Sequence, residues 1–308
     1  MSADMSLDAL RQEIDDIDNN IHDLIMRRTQ VVEKVREAKR GQTVKIRPAR
    51  ECSILYRLIE RHKGPFPKRE LARIWRELIV ATLSFEGPFS IGVHMPDASE
   101  PDEPRHDRRS GRWNMARDQY GSFTPMSGYT SARQLINAVR SLETTIGVLA
   151  VPERKEEKPW WPHLVSTAED TPRIINRLPF IGAPDNRGPN EQALVVCPVK
   201  SEPTGRDRTY LVVESAGEIG LERLATVLKQ AEMISTFTSV WRDPEMPSRF
   251  LHLAEVEGFI RDEDSIILRL SECLEGAASS IMTIGSYSQP LSLEQLETEN
   301  IDQGNEPP

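Results

Sequence analysis

Three cations on one predicted helix, Arg11, Arg28 and Lys39, carry the first chemical signal in this chain. The three- and four-residue neighbours of Arg28 are Leu24, Ile25, Val31 and Val32, all apolar. Lys39 follows eleven residues later, almost in line with Arg28 around a helix axis, and Val35, Arg36, Gln42 and Thr43 offer it no acid. An unpaired cation on a buried face is costly, and a small acidic ligand arriving from outside removes that cost. Arg11 differs: Asp8 and Asp15 flank it at helical spacing, so a solvated ion pair and a ligand contact both stay open. Arg50-Glu51 reads either as a surface pair or as two ligand contacts. Thr82 and Glu86 lie four residues apart on a stripe shared with Trp75, Leu78 and Ile79, where Glu86 either frays into water or faces the ligand. No serine–histidine–acid arrangement and no glycine-rich phosphate loop accompanies these groups. Polar side chains without a nucleophile suit a reaction that needs only positioning and charge stabilisation.

The helix holding the three cations is expected from about Ser6 to about Arg40. Leu7, Leu10, Ile14, Ile17, Ile21, Leu24, Ile25, Val31, Val32, Val35 and Ala38 recur at three- and four-residue steps, the mark of a buried stripe. Ser6 can cap it. Arg11 and Arg28 are seventeen residues apart, roughly 25 Å along a helix, so one straight helix cannot bring both to one small molecule. Two antiparallel copies could, with Arg11 of one chain approaching Arg28 and Lys39 of the other. The long stripe also needs a large partner surface. Both arguments predict an intertwined homodimer. Pro48 suits the first turn of a second helix ending near His62, and a third runs from Lys68 to Glu86, stopped by Gly87-Pro88.

The remainder reads as α/β. Strands are expected at 89–95, 145–151, 173–181 and 192–199, helices at 113–120 and 131–142, a charged mobile loop at 96–111 and a linker at 200–207. Strand, helix, two strands, helix and strand then follow between Tyr210 and Ser286, the βαββαβ ferredoxin-like order. The tail from residue 291 to 308 is acidic and expected to be disordered. The predicted domains are therefore 1–87, 88–200 and 206–290.

Composition narrows the function. The 308 residues carry a net charge of −9, which argues against nucleic acid and leaves local cations to attract an anionic substrate. Mean hydropathy is −0.48 and no apolar run approaches membrane-span length, so no membrane partner is expected. The start, MSADMSLDAL, has no basic segment followed by an apolar one, so no secretory signal is expected. Three widely spaced cysteines and six histidines without HxxxH or HExxH spacing suggest a reducing, cytoplasmic setting and no metal.

These residues carry a specific resemblance. Leu10-Arg11-Gln12-Glu13-Ile14-Asp15, Asp18, Arg28, Val35, Ala38-Lys39, Pro48 to Glu51, and Arg76-Glu77-Leu78-Ile79 leading to Thr82 and Glu86 make the first 87 residues similar to the all-helical chorismate mutases. The spacing of Arg11, Arg28 and Lys39 agrees with that family without gaps. The resemblance implies a three-helix, intertwined dimer rearranging chorismate to prephenate, a step of aromatic amino-acid biosynthesis, with no cofactor. It implies that Arg28 and Arg11 of the partner subunit clamp the two substrate carboxylates, Arg50 assists positioning, and Glu51 accepts from the substrate hydroxyl. Lys39 and Glu86 would bracket the ether oxygen, with Thr82 beside them. Arg47 stands where many relatives have aspartate, and Glu86 where the bacterial prototype has glutamine. Since a carboxyl donates only when protonated, mutase activity is expected to fall as pH rises, and Glu86→Gln to flatten the profile.

Residues 131–139 and 146–153 resemble part of a prephenate dehydratase domain, and the βαββαβ segment ending Ile284-Gly285-Ser286-Tyr287 resembles a regulatory ACT domain. The dehydratase Thr-Arg-Phe signature is missing; Asn176-Arg177-Leu178-Pro179-Phe180 is the nearest string. The leading expectation is a mutase followed by a degenerate dehydratase-like region and an ACT-like domain sensing an aromatic amino acid. A bifunctional mutase–dehydratase and a non-catalytic helical dimer binding an effector or partner are the alternatives.

Overall fold

The computed structural model describes residues 6–38, 46–83, 89–96, 108–154, 156–182 and 192–297. Its first part is helical. Helix α1 (Leu7–Ala38) is capped by the Ser6 hydroxyl, which accepts from the Ala9 amide at 3.3 Å. Helix α2 (Pro48–Arg61) opens on its proline, whose missing N–H costs nothing there, and α3 (Lys68–Leu83) follows after a turn at Gly64. Helices α2 and α3 bury Cys52, Leu55, Tyr56, Ile59 and Ala72 together with Phe180, Leu291 and Leu296 from the rest of the chain. In contrast, α1 has no buried residue. Of the stripe expected to be buried, Leu7, Leu10, Ile14, Ile17, Ile21, Leu24, Val31 and Val35 are 40–63% exposed, with no cover among the described residues, while Ile25 and Val32 are part-buried.

The rest is one nine-stranded mixed sheet flanked by helices. Its strands are β1 (Ile91–His94), β2 (Met126–Tyr129), β3 (Ile146–Ala150), β4 (Arg173–Leu178), β5 (Ala193–Cys197), β6 (Asp207–Ser215), β7 (Ser235–Arg242), β8 (Phe250–Glu257) and β9 (Ala278–Ser288). Their spatial order is β2-β1-β3-β5-β4-β9-β6-β8-β7. Helices α4 (Arg108–Tyr120) and α5 (Ala132–Arg140) accompany the first group of strands. Helices α6 (Leu221–Gln230) and α7 (Ser265–Cys273) accompany the second. The succession β6-α6-β7-β8-α7-β9 is the expected βαββαβ order. Helix α4 starts at Arg108, inside the stretch expected as a loop; residues 97–107 of that stretch lie outside the described residues.

The two groups of strands meet where β4 runs parallel to β9 through a single register pair, Ile174 opposite Gly285. Gly285 has φ +140°, and a Cβ there would lie 2.2 Å from the Ile174 nitrogen, so the approach requires glycine. Side chains bridge the same join. The Glu255 carboxylate on β8 accepts from Arg177 on β4 at 2.8 Å and from the Tyr287 hydroxyl on β9 at 2.6 Å. The tail also departs from expectation. Leu293–Leu296 forms a short helix, α8, with a capping box in which Ser292 and Gln295 bond reciprocally, and Leu291 and Leu296 are buried. Residues 298–308 lie outside the described residues.

Candidate functional site

Of the seven candidate residues, the five that are described separate into three groups. Arg28 and Thr82 converge on one carbonyl. Arg28 Nη1 donates to the Leu78 oxygen at 3.1 Å, and the buried Thr82 hydroxyl lies 2.8 Å from the Ile79 oxygen and 3.3 Å from that of Leu78. Arg28 is half-buried, and that burial lowers the pKa of its guanidinium. Among the described residues it has no carboxylate partner. This is the electrostatic situation its apolar neighbours predicted: a partly desolvated cation, held by a carbonyl dipole and still uncompensated in charge.

Glu51 and Arg50 face different ways. The Arg50 side chain is exposed, whereas Glu51 is 6% exposed and turns into the helical hairpin. There its Oε2 accepts from Nη1 of Arg76, itself 2% exposed, at 2.6 Å. The Oε1 atom of Glu51 is buried without a donor among the described residues. Glu51 is therefore not half of a surface pair with Arg50. Its first partner is an arginine on α3 that sequence reading passed over. The available signal was Arg76 lying between Ala72 and Ile79 at helical spacing, a cation on an apolar face of the same kind as Arg28.

Arg11 stands apart. It is exposed, with Nη1 3.3 Å from the Asp8 carboxylate, and the length of α1 keeps it from Arg28 within one chain. Lys39 and Glu86 lie outside the described residues. Arg47 reaches from the start of α2 to Glu202 at 3.8 Å, an exposed pair of little energetic weight. A cavity of about 260 Å³ opens beside it, between Ile46–Ala49, Lys200–Glu202 and Ser286–Ser288. None of the five described candidate residues, Arg11, Arg28, Arg50, Glu51 and Thr82, lines that cavity. Among the described residues, no group of three or more His, Cys, Asp or Glu side chains could hold a metal ion.

Among the described residues the arrangement offers a half-buried guanidinium at Arg28 and a carboxylate oxygen without a donor at Glu51. Residues 10–87 match the family model of chorismate mutase type II. The bifunctional chorismate mutase/prephenate dehydratase of Stutzerimonas stutzeri is 33% identical over 105 residues, 32% of this chain and 29% of that protein. The protein of the same name from Neisseria gonorrhoeae is 35% identical over 89 residues, 29% of this chain and 24% of that protein. The chain thus spans under a third of the length of the curated relatives it matches. Among solved structures, the prephenate dehydratase of Staphylococcus aureus subsp. aureus Mu50 aligns with a TM-score of 0.45 at 11% identity, covering 65% of this chain and 100% of that one. The described residues contain no helix long and apolar enough to cross a membrane.

Proposed function

We propose that this protein is a chorismate mutase that rearranges chorismate to prephenate, without cofactor, at a site shared between the two chains of an intertwined homodimer. The observation carrying this reading is the match of residues 10–87 to chorismate mutase type II together with the ungapped spacing of Arg11, Arg28 and Lys39. The exposed stripe of α1 supports the dimer. Eight large apolar side chains along one helix, Leu7, Leu10, Ile14, Ile17, Ile21, Leu24, Val31 and Val35, are exposed, with no cover among the described residues.

In this mechanism Arg28 and Arg11 of the partner subunit hold the two carboxylates and so favour the compact reactive conformer. Arg50 assists positioning at the rim. The Glu51 oxygen that lacks a donor, Oε1, accepts from the ring hydroxyl. As the C–O bond breaks, negative charge grows on the ether oxygen between Lys39 and Glu86, with Thr82 alongside. Groups that bind this charge more tightly than the ground state lower the barrier. An aromatic amino acid acting as effector on the βαββαβ unit, and a cytoplasmic setting suited to three free thiols, belong to the same proposal.

The test is addition of chorismate to the purified full chain, following its absorbance with and without acid treatment and with and without phenylalanine or tyrosine. Loss of chorismate with prephenate as the product is expected. Phenylpyruvate before acidification would instead favour a mutase–dehydratase, the name its curated relatives bear. No consumption would leave a non-catalytic helical dimer.

A further inference from the structure

Residue Gln119, at the end of α4, belongs to the sheet-bearing part of the molecule, yet its side chain is buried against the helical hairpin. With its amide oriented so that the oxygen faces the guanidinium, it accepts from Arg76 Nε at 3.0 Å and also lies against Nη2. On its other edge, Arg76 donates Nη1 to Glu51 Oε2 at 2.6 Å. One planar guanidinium thus ties a side chain of α4 to a carboxylate of α2. A guanidinium presents its five N–H donors in a fixed fork, so an acceptor on one edge sets the angle at which the other edge meets its partner. Both oxygens of Glu51 are buried, but only one is bonded among the described residues. A buried, unsatisfied carboxylate oxygen is expensive unless a donor arrives.

We propose that Arg76 and Gln119 are positioning residues for Glu51: they engage Oε2 and leave Oε1 as the carboxylate oxygen without a donor, the atom to which the substrate hydroxyl donates, and the sheet region thereby completes the site in the helical region. This rests on the reading of Glu51 as the acceptor for the chorismate hydroxyl. Arg76 and Gln119 touch no reacting atom in this scheme. They act through Glu51 alone.

A double-mutant cycle in the full chain tests it. Chorismate kcat and KM, together with thermal midpoints, are measured for wild type, Gln119→Leu, Glu51→Gln and the double variant. Gln119→Leu is expected to lower kcat/KM about tenfold, the order of one hydrogen bond to a charged group. Gln119→Glu, which keeps an acceptor at that place, is expected to restore most of the loss. In the Glu51→Gln background, Gln119→Leu should change kcat/KM less than about twofold while its thermal effect persists. An equal kinetic loss in both backgrounds overturns the proposal, because Gln119 would then act only through general stability; so does no loss in the single variant. Should Gln119→Leu fail to fold, Gln119→Asn, shorter by one methylene, is read in the same way. A wild type that turns over chorismate but is indifferent to Glu51→Gln removes the role of Glu51 and, with it, its positioning. A wild type that leaves chorismate untouched removes the functional reading first.

Discussion

Arg28 and Arg76 are the same kind of residue with different fates. Both are cations among apolar neighbours on a helix, and both face inward. Arg76 finds Glu51 and Gln119, whereas among the described residues Arg28 finds the Leu78 carbonyl and no carboxylate. The sequence pattern could identify both as cations needing a partner; it could not say which would find one inside the chain. That depends on α4 packing against α3, a contact between segments more than forty residues apart. The energetic expectations differ accordingly. Arg76→Leu leaves the Glu51 carboxylate buried and unpaired, so unfolding in denaturant should show a loss of about 3–5 kcal/mol. Arg28→Ala removes a charge that lacks a carboxylate partner among the described residues, so it should cost little stability. It should instead lower kcat/KM for chorismate by at least about a hundredfold, since one buried charged contact is worth several kcal/mol in the transition state. Steady-state kinetics with unchanged thermal midpoint would fit that role; near-normal turnover would reject Arg28 as a substrate contact.

Helices α1, α2 and α3 were legible because their signals are local. Three- and four-residue apolar steps, Ser6 at a start and Pro48 at another need no tertiary information. Strand β2, Met-Ser-Gly-Tyr, was not legible, because a short edge strand without a buried face carries no alternation. The short helix α8 was hidden by acidic composition, although its capping box, serine with glutamine three residues on, was there to be read. What periodicity cannot reveal is the surface that covers a stripe. Helix α1 shows this: its apolar residues mark a face that must be buried, while most of that face has no cover among the described residues. In the proposed dimer that cover is a second α1. Ile21→Asp, at the middle of the stripe, should then shift the full chain from dimer to monomer in analytical ultracentrifugation and abolish mutase activity together with it. A monomeric wild type, or a fully active dimeric variant, would count against the intertwined arrangement.

At the scale of the whole molecule, the sheet is two groups of strands joined at a narrow seam. The backbone part of the seam is one register pair at Gly285, and the side-chain part is Glu255 between Arg177 and Tyr287. Burial alone pushes the Glu255 carboxyl up, but hydrogen bonds from Thr236 and Tyr287 and the Arg177 charge outweigh it and hold the group below its ordinary 4.5. A depressed carboxyl favours the folded state fully above that ordinary value, and its contribution is lost as pH falls through the folded value. The melting temperature of the wild type should therefore drop on acidification below about pH 4.5, and Glu255→Gln should be less stable at neutral pH but lose less over the same interval. An equal acid slope in both proteins would show that the seam does not depend on this charge. The seam also explains why the fold was easier to read in sequence than its assembly was. Strands such as β3, β5 and β6 announce themselves by β-branched, apolar runs, whereas Arg177, Glu255 and Tyr287 are far apart in the chain and become one cluster only on folding.

The account depends most on a site built from two chains, with Arg28 from one and Arg11 of the partner subunit. Subunit complementation addresses this directly. Arg11→Ala and Arg28→Ala chains, each nearly inactive as homodimers, are co-expressed and the mixed dimers purified through two different tags. A mixed dimer holds one doubly altered site and one intact site, so chorismate turnover should return to about half the wild-type rate per dimer. Activity no higher than that of the parent variants would contradict the shared site.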